Sequence, residues 1–538
     1  MIKKSLLLLT TVLMCHLCKA QTSEGSFKIN GRIDSSVVNF FALNELVIKI
    51  YNRYDRLNEV ESISIPVSAD GSFRSTIKSK SALVYVSFSA EYNGDSGIKR
   101  PGTILPISYP FRTEIGTEEL YIFEKSDSIN VRIGPNGNLS FSGTGADKLN
   151  CQFLIHNIEP TSKSALSRSI QLSQTGNFER CIAILDESLQ LAIQMRLMIL
   201  KSYKPQLNRN IYDLIYLDAI AKAEYHFLSR LHISASFGSE TRRSNGTTAV
   251  QNFYKKYIKR EFENGIDSSA LVKSAYYPEY LFLKEWNAYK LYTKNPAIGD
   301  SFNAIFKILS TKYSGELRDQ LILICIRKLN RRFPTEIKSY IDKAIERLEG
   351  EKYKSHLIAW KNKNYYAQAF PFELQDKNGK VHRLIDYRDK IIIMDFWFTG
   401  CTWCTNLNAA MHTIIDRYKA NGDVVFISVS EDKSKEVWLK SVSTGKYTSP
   451  GTINLYTNGL GVTHPLLKFY NFKGAPQQLI IGKNGKLISS RPPRPDGGIE
   501  FEVDKNRVYI PNHKDVLSNP AAQAFIKIID DLLLSSQN

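Results

Sequence analysis

Cysteine is scarce in this chain, which has seven cysteines in 538 residues. So few thiols argue against a scaffold held together by several disulfides. Only one pair lies close together in the part beyond residue 20, whereas a structural zinc site needs four ligands, usually from two such pairs or from nearby histidines. A c-type haem needs His directly after the second cysteine of the pair, where Thr405 stands. We therefore expect no metal ion and no cofactor.

Long hydrophobic runs are also missing, since no stretch is apolar over the roughly 20 residues that a membrane-spanning helix needs. The apolar segment at 6–14 is shorter, follows Lys3 and Lys4, and leads to small residues ending at Ala20. This pattern is typical of a secretory signal peptide over residues 1–20. We expect an exported protein, soluble after cleavage and located in the periplasm or elsewhere in the cell envelope.

A lipoprotein is the alternative for this N-terminus, because Cys15 and Cys18 lie in it. Met14 and Leu17 precede them, and both are larger than the small residue that normally precedes a lipidated cysteine. The mass of the mature N-terminus distinguishes a lipid-modified cysteine from a chain that begins at Gln21.

Acidic residues are fewer than basic ones, 53 against 71, so the formal net charge is +18. Cleavage after residue 20 lowers it to +15, because Lys3, Lys4 and Lys19 leave and no acidic residue does. The remaining Lys and Arg are spread thinly and do not cluster with aromatic residues. We expect no nucleic-acid partner, and a solvated basic surface with weak attraction to anionic membranes or wall polymers.

The hydrophobic periodicity and the frequency of Pro and Gly change twice along the sequence, which predicts three parts after the signal peptide. Residues 21–146 carry short alternating runs separated by turn signals, which is the pattern of a β-sandwich. In residues 147–365 Pro and Gly become sparse and helical periodicity takes over. No fixed repeat period occurs there, so we expect an irregular helical region whose aromatic stretches serve as core or as a homodimer interface. Three cysteines outside the close pair are expected to be inert: Cys151, Cys181 and Cys325.

Residues 366–538 carry the chemistry. The apolar run 391–398 leads into Cys401-Thr402-Trp403-Cys404, and a helical segment follows. Two thiols at this spacing can close and reopen a small disulfide, because attack and resolution occur within one helical turn. A second strand at 424–429 and a final hairpin at 478–490 complete the strand order expected of an α/β thioredoxin core.

Two segments carry a family resemblance. The first is Asp395-Phe396-Trp397-Phe398-Thr399-Gly400-Cys401-Thr402-Trp403-Cys404, and the second is residues 470–476, which end in Ala475-Pro476. With the hairpin at 372–384 and the export signal, residues from Ala367 onward resemble the TlpA/ResA-like thiol-disulfide oxidoreductases. The upstream β-rich part resembles the N-terminal domain that often precedes such modules in exported bacterial proteins.

The resemblance implies roles for individual residues. Cys401 and Cys404 would form the redox disulfide, with Cys401 as the attacking thiolate, which the N–H groups of a helix N-terminus stabilise. Cys404 would resolve the mixed disulfide. Pro476 would be the cis-proline that faces the dithiol, and Ala475 would lend backbone groups to a bound substrate strand.

Asp395 interrupts an otherwise apolar run. A carboxyl buried there should have a raised pKa and could accept the proton of Cys404 during exchange. Members of the family often place an acid near this position. The alternative is an ordinary half-exposed strand residue or a group that caps a loop.

Two positions depart from the family pattern. Many relatives have Trp before the first cysteine and Pro before the second, where this chain has Gly400 and Trp403. Because the residues around the dithiol influence its reduction potential, the direction of exchange does not follow from the resemblance. Trp403 either forms an apolar docking surface for a protein substrate or packs against the adjacent loop.

Two other classes of protein were weighed against an exchange enzyme. Thioredoxin-fold peroxidases place Thr and Pro where this chain has Phe398 and Met394, so a peroxidase is disfavoured. A non-enzymatic binding or assembly protein with a redox-sensing dithiol stays open, because over half of the chain lies outside the thioredoxin-like part. We expect a reductase of protein disulfides that a membrane electron donor supplies, and a homodimer formed through the helical region.

Overall fold

The computed structural model describes residues 25–41, 44–51, 61–79, 81–92, 103–106, 119–135, 138–235, 240–262, 265–293, 300–329, 334–362, 368–470, 472, 474–497, 499–503, 506–510 and 516–534. The predicted signal peptide at 1–20, with its lipoprotein alternative, lies outside them.

Two sheets form the N-terminal part. Their strands are β1 (Gly25–Ile33), β2 (Glu45–Tyr51), β3 (Glu61–Pro66), β4 (Ser72–Ser79), β5 (Leu83–Tyr92), β6 (Thr103–Pro106), β7 (Tyr121–Glu124), β8 (Ser128–Ile133) and β9 (Leu139–Thr144). One sheet has the order β4-β1-β8-β9, and the other has the order β3-β2-β5-β6 with β7 paired to β5. Alternate side chains of both sheets share one core, for example Ile29, Val131, Ile48 and Val86. Strands occur where period-two alternation predicts them.

One short helix, α1 (Ser35–Phe41), lies between β1 and β2. Helices then make up the middle of the chain. They are α2 (Ala146–His156), α3 (Lys163–Gln174), α4 (Phe178–Ser202), α5 (Arg209–Ala235), α6 (Glu240–Tyr257), α7 (Ser268–Lys273), α8 (Tyr277–Tyr292), α9 (Asp300–Lys312), α10 (Gly315–Leu329), α11 (Pro334–Arg347) and α12 (Glu351–Lys361). Cys151, Cys181 and Cys325 are buried in them and form no disulfide. Burial raises the pKa of the Cys151 thiol to about 12, which disfavours the reactive thiolate.

The chain divides into two compact units. The first contains the two N-terminal sheets, α1, α2 and the helical residues of Leu185–Phe227 and Glu261–Tyr277. The second contains the helical residues of Lys163–Ile184 and Leu228–Arg260 and the described residues from Pro278 onward. Inside the first unit, Tyr85 on β5 and Ser274 after α7 both donate hydrogen bonds to the buried Asp218 on α5. These bonds join a strand to two helical segments of the same unit.

The C-terminal region is built on a seven-stranded sheet with the order β11-β10-β14-β13-β12-β15-β16. Its elements are β10 (Glu373–Asp376), β11 (Val381–Arg383), β12 (Ile391–Trp397), α13 (Thr402–Tyr418), β13 (Val424–Ser430), α14 (Lys435–Ser443), β14 (Thr452–Tyr456), α15 (Pro465–Phe469), β15 (Gln477–Ile481) and β16 (Leu487–Ser489). The central strand β12 runs parallel to β13 and antiparallel to β15. Leu407 and Met411 of α13 pack on Ile391 and Ile393 of β12, so the helix that follows the dithiol covers one face of the sheet.

A separate hairpin, β17 (Ile499–Val503) with β18 (Asn506–Ile510), and a last helix, α16 (Pro520–Leu534), end the described chain. Asn519 caps α16, because its side chain accepts a hydrogen bond from the N–H of Ala521 at 2.9 Å. Among the described residues, none of the helices has the length and apolar character that crossing a membrane requires.

Candidate active site

The dithiol lies where β12 passes into α13. The strand ends at Trp397, and Cys401 is the N-cap of the helix, with its Sγ accepting a hydrogen bond from the N–H of Cys404 at 3.1 Å. Gly400 has φ +91°, in the left-handed region that favours glycine. Glycine at this position therefore fits the backbone of the turn without strain.

Cys401 and Cys404 form a disulfide, with their Cα atoms 5.3 Å apart. Both side chains are buried. The carbonyl oxygen of Ala475 lies 3.8 Å from Cys401 Sγ, and the Ala475–Pro476 peptide bond is cis. The structure therefore brings the two cysteines next to the Ala475–Pro476 segment, although more than 70 residues separate them in the sequence.

Aromatic rings surround the disulfide. The ring of Trp397 stacks on that of Tyr447 with centroids 5.0 Å apart, and Trp438 stacks on Tyr456 at 4.7 Å. Trp403 is half-buried and packs against this cluster, which also contains both cysteines. Trp403 therefore does pack locally, and its remaining exposed surface lies beside the dithiol.

The loop before Cys401 is held by side chains from later in the sequence. The carboxylate of the buried Asp432 accepts hydrogen bonds from Thr399 N and Thr399 Oγ1, both at 2.8 Å. Ser441 Oγ is 2.7 Å from Thr399 Oγ1, and Gly400 N donates to Tyr447 OH at 2.9 Å. Four bonds thus fix two consecutive residues of the loop, and sequence reasoning had singled out none of these partners.

Asp395 lies on the face of β12 that α13 covers, because alternate residues of a strand share one face and Ile391 and Ile393 lie on this one. A small part of the residue reaches solvent, but its carboxyl is enclosed, and burial raises the pKa of Asp395 to about 7. One side-chain donor, Ser428 Oγ at 3.0 Å, offsets part of this effect. The predicted direction of the pKa shift is confirmed.

Asp395 has polar neighbours on both adjacent strands, which sequence reasoning also missed. Ser428 of β13 and Gln478 of β15 are its register partners. Gln478 is buried, and its Nε2 donates to Met411 Sδ of α13 at 3.3 Å. A polar row therefore crosses three central strands beneath the helix that carries Cys404. Asp395, Ser428 and Gln478 are each a polar residue in a mostly apolar strand, and this interruption of apolar sequence is the only sequence signal that they share.

Two single histidines of this region lie outside the site. His464 accepts a hydrogen bond from the N–H of Leu466 at 3.2 Å and so caps α15, while His412 lies on the surface of α13, 3.3 Å from the carboxylate of Asp416. Within the part of the chain that the structure describes, no three His, Cys, Asp or Glu side chains converge as metal ligands.

Comparison with known proteins gives a family match in this C-terminal region. Residues 366–489 match the AhpC/TSA family. The thiol-disulfide oxidoreductase ResA of Geobacillus kaustophilus is 27% identical over 125 residues, which are 22% of this chain and 62% of the relative. ResA of Geobacillus thermodenitrificans is 26% identical with the same coverage. The chain thus spans less than two thirds of the length of these curated relatives.

Solved structures named as thiol-disulfide oxidoreductases are also similar to part of this chain. The thioredoxin domain of a thiol-disulfide oxidoreductase from Bacteroides vulgatus is 23% identical, covers 23% of this chain and 84% of its own, and has a TM-score of 0.21. A thiol-disulfide oxidoreductase from Bacteroides fragilis is 18% identical, with 23% and 88% coverage and a TM-score of 0.21. The sequence matches and the observed site support a TlpA/ResA-like thioredoxin fold for this region, in agreement with the resemblance that its sequence shows.

Proposed function

We propose that this protein is an exported thiol-disulfide oxidoreductase that reduces disulfides in other proteins through Cys401 and Cys404. The observation that carries the proposal is the Cys401–Cys404 disulfide at the N-terminus of α13, beside the cis Ala475–Pro476 peptide. Backbone N–H groups at that helix end stabilise a thiolate, which is the attacking form of cysteine.

The exchange transfers two electrons. The Cys401 thiolate attacks one sulfur of a substrate disulfide, which forms a mixed disulfide and releases one substrate thiolate. The Cys404 thiolate then attacks Cys401 Sγ and releases the second. The substrate gains both electrons, the enzyme ends with the Cys401–Cys404 disulfide, and an external dithiol must reduce it again.

Asp395 supplies the base in this proposal. Cys404 must lose its proton before it can resolve the mixed disulfide, and a carboxyl with a pKa of about 7 can accept that proton near neutral pH. The position of Asp395 under α13 supports this role.

The segment around Ala475 would receive the substrate chain. Its carbonyl oxygen lies close to Cys401 Sγ, and a backbone acceptor at that point can hold an extended peptide while its disulfide is attacked. The exposed part of Trp403 adds apolar surface next to it.

The electron donor and the location are part of the same proposal. An exported reductant depends on electrons that cross the membrane, so we propose a membrane dithiol donor and a place in the periplasm or cell envelope. The signal-peptide pattern of residues 1–20 supports the export. We also propose that the protein self-associates through its helical region.

The reduction potential of the Cys401–Cys404 couple and its redox state in cells test the direction of exchange. A reductase requires a potential low enough for the dithiol to be partly reduced in the cell. A couple that stays fully oxidised in growing cells refutes the reductase proposal.

Trapping tests the exchange itself. Cys404→Ser cannot resolve the mixed disulfide, so it should accumulate substrates bound to Cys401, whereas the matched variant Cys401→Ser should accumulate none. If both variants trap equally, Cys401 is not the attacking thiol. The non-enzymatic alternative is tested by the double variant Cys401→Ser, Cys404→Ser, because a protein that keeps its biological role without either thiol does not act by exchange.

A further inference from the structure

The two sheets of the first unit differ in what lies on their outer faces. On β5 of one sheet, Tyr85, Ser87 and Ser89 point away from the shared core and are nevertheless buried, and Tyr85 donates to Asp218 on α5. On the other sheet, the outward side chains of all four strands are exposed or half-buried. The outer face of the β4-β1-β8-β9 sheet, the open face, is therefore accessible to a ligand.

The side chains of the open face are all polar or basic. Strand alternation points Ser, Thr, Asn and basic residues outward, and no acidic, aromatic or aliphatic residue of these four strands points the same way. The basic residues are Lys28, Arg32, Arg74, Lys78 and Arg132, all exposed. They lie far apart in the sequence, and the sheet brings them together.

The strand register places four of these cations in a line. In the antiparallel pair of β1 and β4, successive outward rows carry Arg32, Arg74, Lys28 and Lys78 in that order, so the cations alternate between the two strands. Rows are about 7 Å apart and strands about 5 Å apart, which puts consecutive cations about 8 Å apart along a line of about 20 Å. Arg132 on β8 lies beside Arg32 and widens one end of the line.

The cations of the line are poorly neutralised by the protein itself. Arg32 and Arg132 are direct neighbours on adjacent strands, where like charges destabilise a sheet. Lys28, Arg74 and Lys78 form no ion pair within the part of the chain that the structure describes. An anion on the open face would relieve this repulsion.

Two carboxylates lie at one end of the open face, and each is used by its own turn. The carboxylate of Asp34 accepts hydrogen bonds from the N–H and the hydroxyl of Ser36, and that of Asp70 accepts one from the N–H of Ser72. Each also attracts an arginine of the face. They lower the positive charge of this end and leave the rest of the line unaffected.

A groove of about 980 Å³ opens at the same end. It is lined by Arg32, Asn130, Arg132 and Ser142 of the open face, together with residues of α1 and of the turn at 69–71. The face therefore begins in a groove and continues along β1 and β4, a shape that suits an extended chain.

The chemistry of the open face selects among anionic polymers. Cations spread along a line fit the spaced anions of an extended polymer better than one compact anion. The face has no aromatic side chain on which the bases of a single-stranded nucleic acid could stack, and no apolar one to enter a membrane or to anchor a protein partner. Its Ser, Thr and Asn side chains donate and accept hydrogen bonds, as the hydroxyl groups of a sugar require.

We propose that the open face binds a linear acidic polysaccharide, whose carboxylates pair with the line of cations while its hydroxyl groups bond to the Ser, Thr and Asn side chains. Exposed ion pairs each contribute little and are screened by salt, so the affinity should rise with polymer length and fall with ionic strength. Binding does not involve the dithiol, so its test is independent of the proposed exchange activity.

Titration of the full chain with a fluorescently labelled oligomer of polygalacturonate, at several salt concentrations, tests the proposal. Lys28→Gln with Arg74→Gln removes two charges from the middle of the line and should weaken binding by about tenfold or more. The matched control is Lys255→Gln with Lys256→Gln, which removes the same charge from two exposed lysines of α6 and should leave the affinity nearly unchanged. Equal losses in the two double variants would mean that the oligomer responds to net charge alone, which overturns the proposal.

A second pair of substitutions and three competitors complete the test. Lys78→Gln with Arg132→Gln, at the two ends of the face, should weaken binding similarly, and circular dichroism melts check that each variant folds. Oligothymidylate and phosphatidylglycerol vesicles, at equal concentration of charge, should displace the labelled oligomer less well than unlabelled polygalacturonate does, and neutral dextran should not displace it. A wild type that does not bind the oligomer at low salt, or an equal displacement by oligothymidylate or by vesicles, overturns the proposal.

Discussion

Asp395 in the second unit and Asp218 in the first are both enclosed carboxyls, but their surroundings differ. Burial raises the pKa of both, to about 7 for Asp395 and about 6 for Asp218. Asp218 accepts hydrogen bonds from two hydroxyl groups, those of Tyr85 and Ser274, whereas Asp395 has a single hydroxyl donor, Ser428. A well-bonded carboxylate joins elements of the fold, while a poorly bonded one is close to protonation and can exchange a proton near neutral pH.

The largest expected effect is the difference in exchange rate between a variant of the dithiol and a variant of another cysteine. Cys401→Ser should reduce disulfide exchange by about a thousandfold or more, because it removes the attacking sulfur. Cys151→Ala is the control, since that thiol is buried and in no disulfide, and it should leave the rate unchanged. The measurement is reduction of a model protein disulfide by the pre-reduced enzyme. Comparable losses in both variants would contradict the proposed site.

The next largest expected difference between the two aspartates is in the pH dependence of folding stability that each one causes. The folded pKa of Asp395 lies above its unfolded value of 3.8, so the folded state binds the proton more tightly. The stabilisation that proton binding gives the folded state is fully present below pH 4 and is lost as the pH rises through 7. The free energy of unfolding changes by about 4 kcal/mol at most. Asp218 should lose a smaller amount, and lose it by about pH 6.

Hydrogen exchange of peptides from β12 and β5 measures these two contributions separately. Asp395→Asn should remove the pH dependence at β12 only, and Asp218→Asn at β5 only. Loss of the dependence at both strands in either variant would mean that the two carboxyls do not titrate independently.

The rate of exchange should then depend on one aspartate alone. Asp395→Asn should slow exchange at pH 7 by about a hundredfold, the low end of general acid–base catalysis. Asp218→Asn should leave the rate within twofold, since it joins structural elements of the first unit. An unchanged rate in Asp395→Asn would remove this residue from the mechanism.

The smallest effect concerns the single donor to Asp395. Ser428→Ala removes a hydrogen bond that favours the ionised carboxylate, so the pKa of Asp395 should rise, by about one unit. The midpoint of the rate against pH should move upward by the same amount, with little change in the limiting rate at high pH. A midpoint that moves downward or stays fixed would show that Ser428 does not tune this carboxyl.

Local patterns allowed much of the C-terminal region to be predicted. The apolar run before Cys401, which only Asp395 interrupts, is typical of a central buried strand, and β12 (Ile391–Trp397) lies there. β14 (Thr452–Tyr456) was not predicted, because only Ile453, Leu455 and Tyr456 in it are apolar or aromatic and its pairing with β13 is a tertiary contact.

The partners of the active-site loop could not be found from the sequence for a similar reason. Asp432, Ser441 and Tyr447 stand in polar or mixed segments, and their bonds to Thr399 and Gly400 depend on how α14 and its flanking loops pack.

The clamp on Thr399 and Gly400 has a consequence for protein engineering. The ten residues from Asp395 to Cys404 contain the strand end, the turn and both sulfurs, yet the shape of the turn is specified by side chains 33 to 47 residues downstream. A graft of the decapeptide alone into another scaffold would carry the sulfurs without the hydrogen bonds that aim them. A working transplant needs at least the segment through Tyr447, and the Ala475–Pro476 segment beside Cys401 lies beyond it, so the smallest portable form of this chemistry is most of the C-terminal domain.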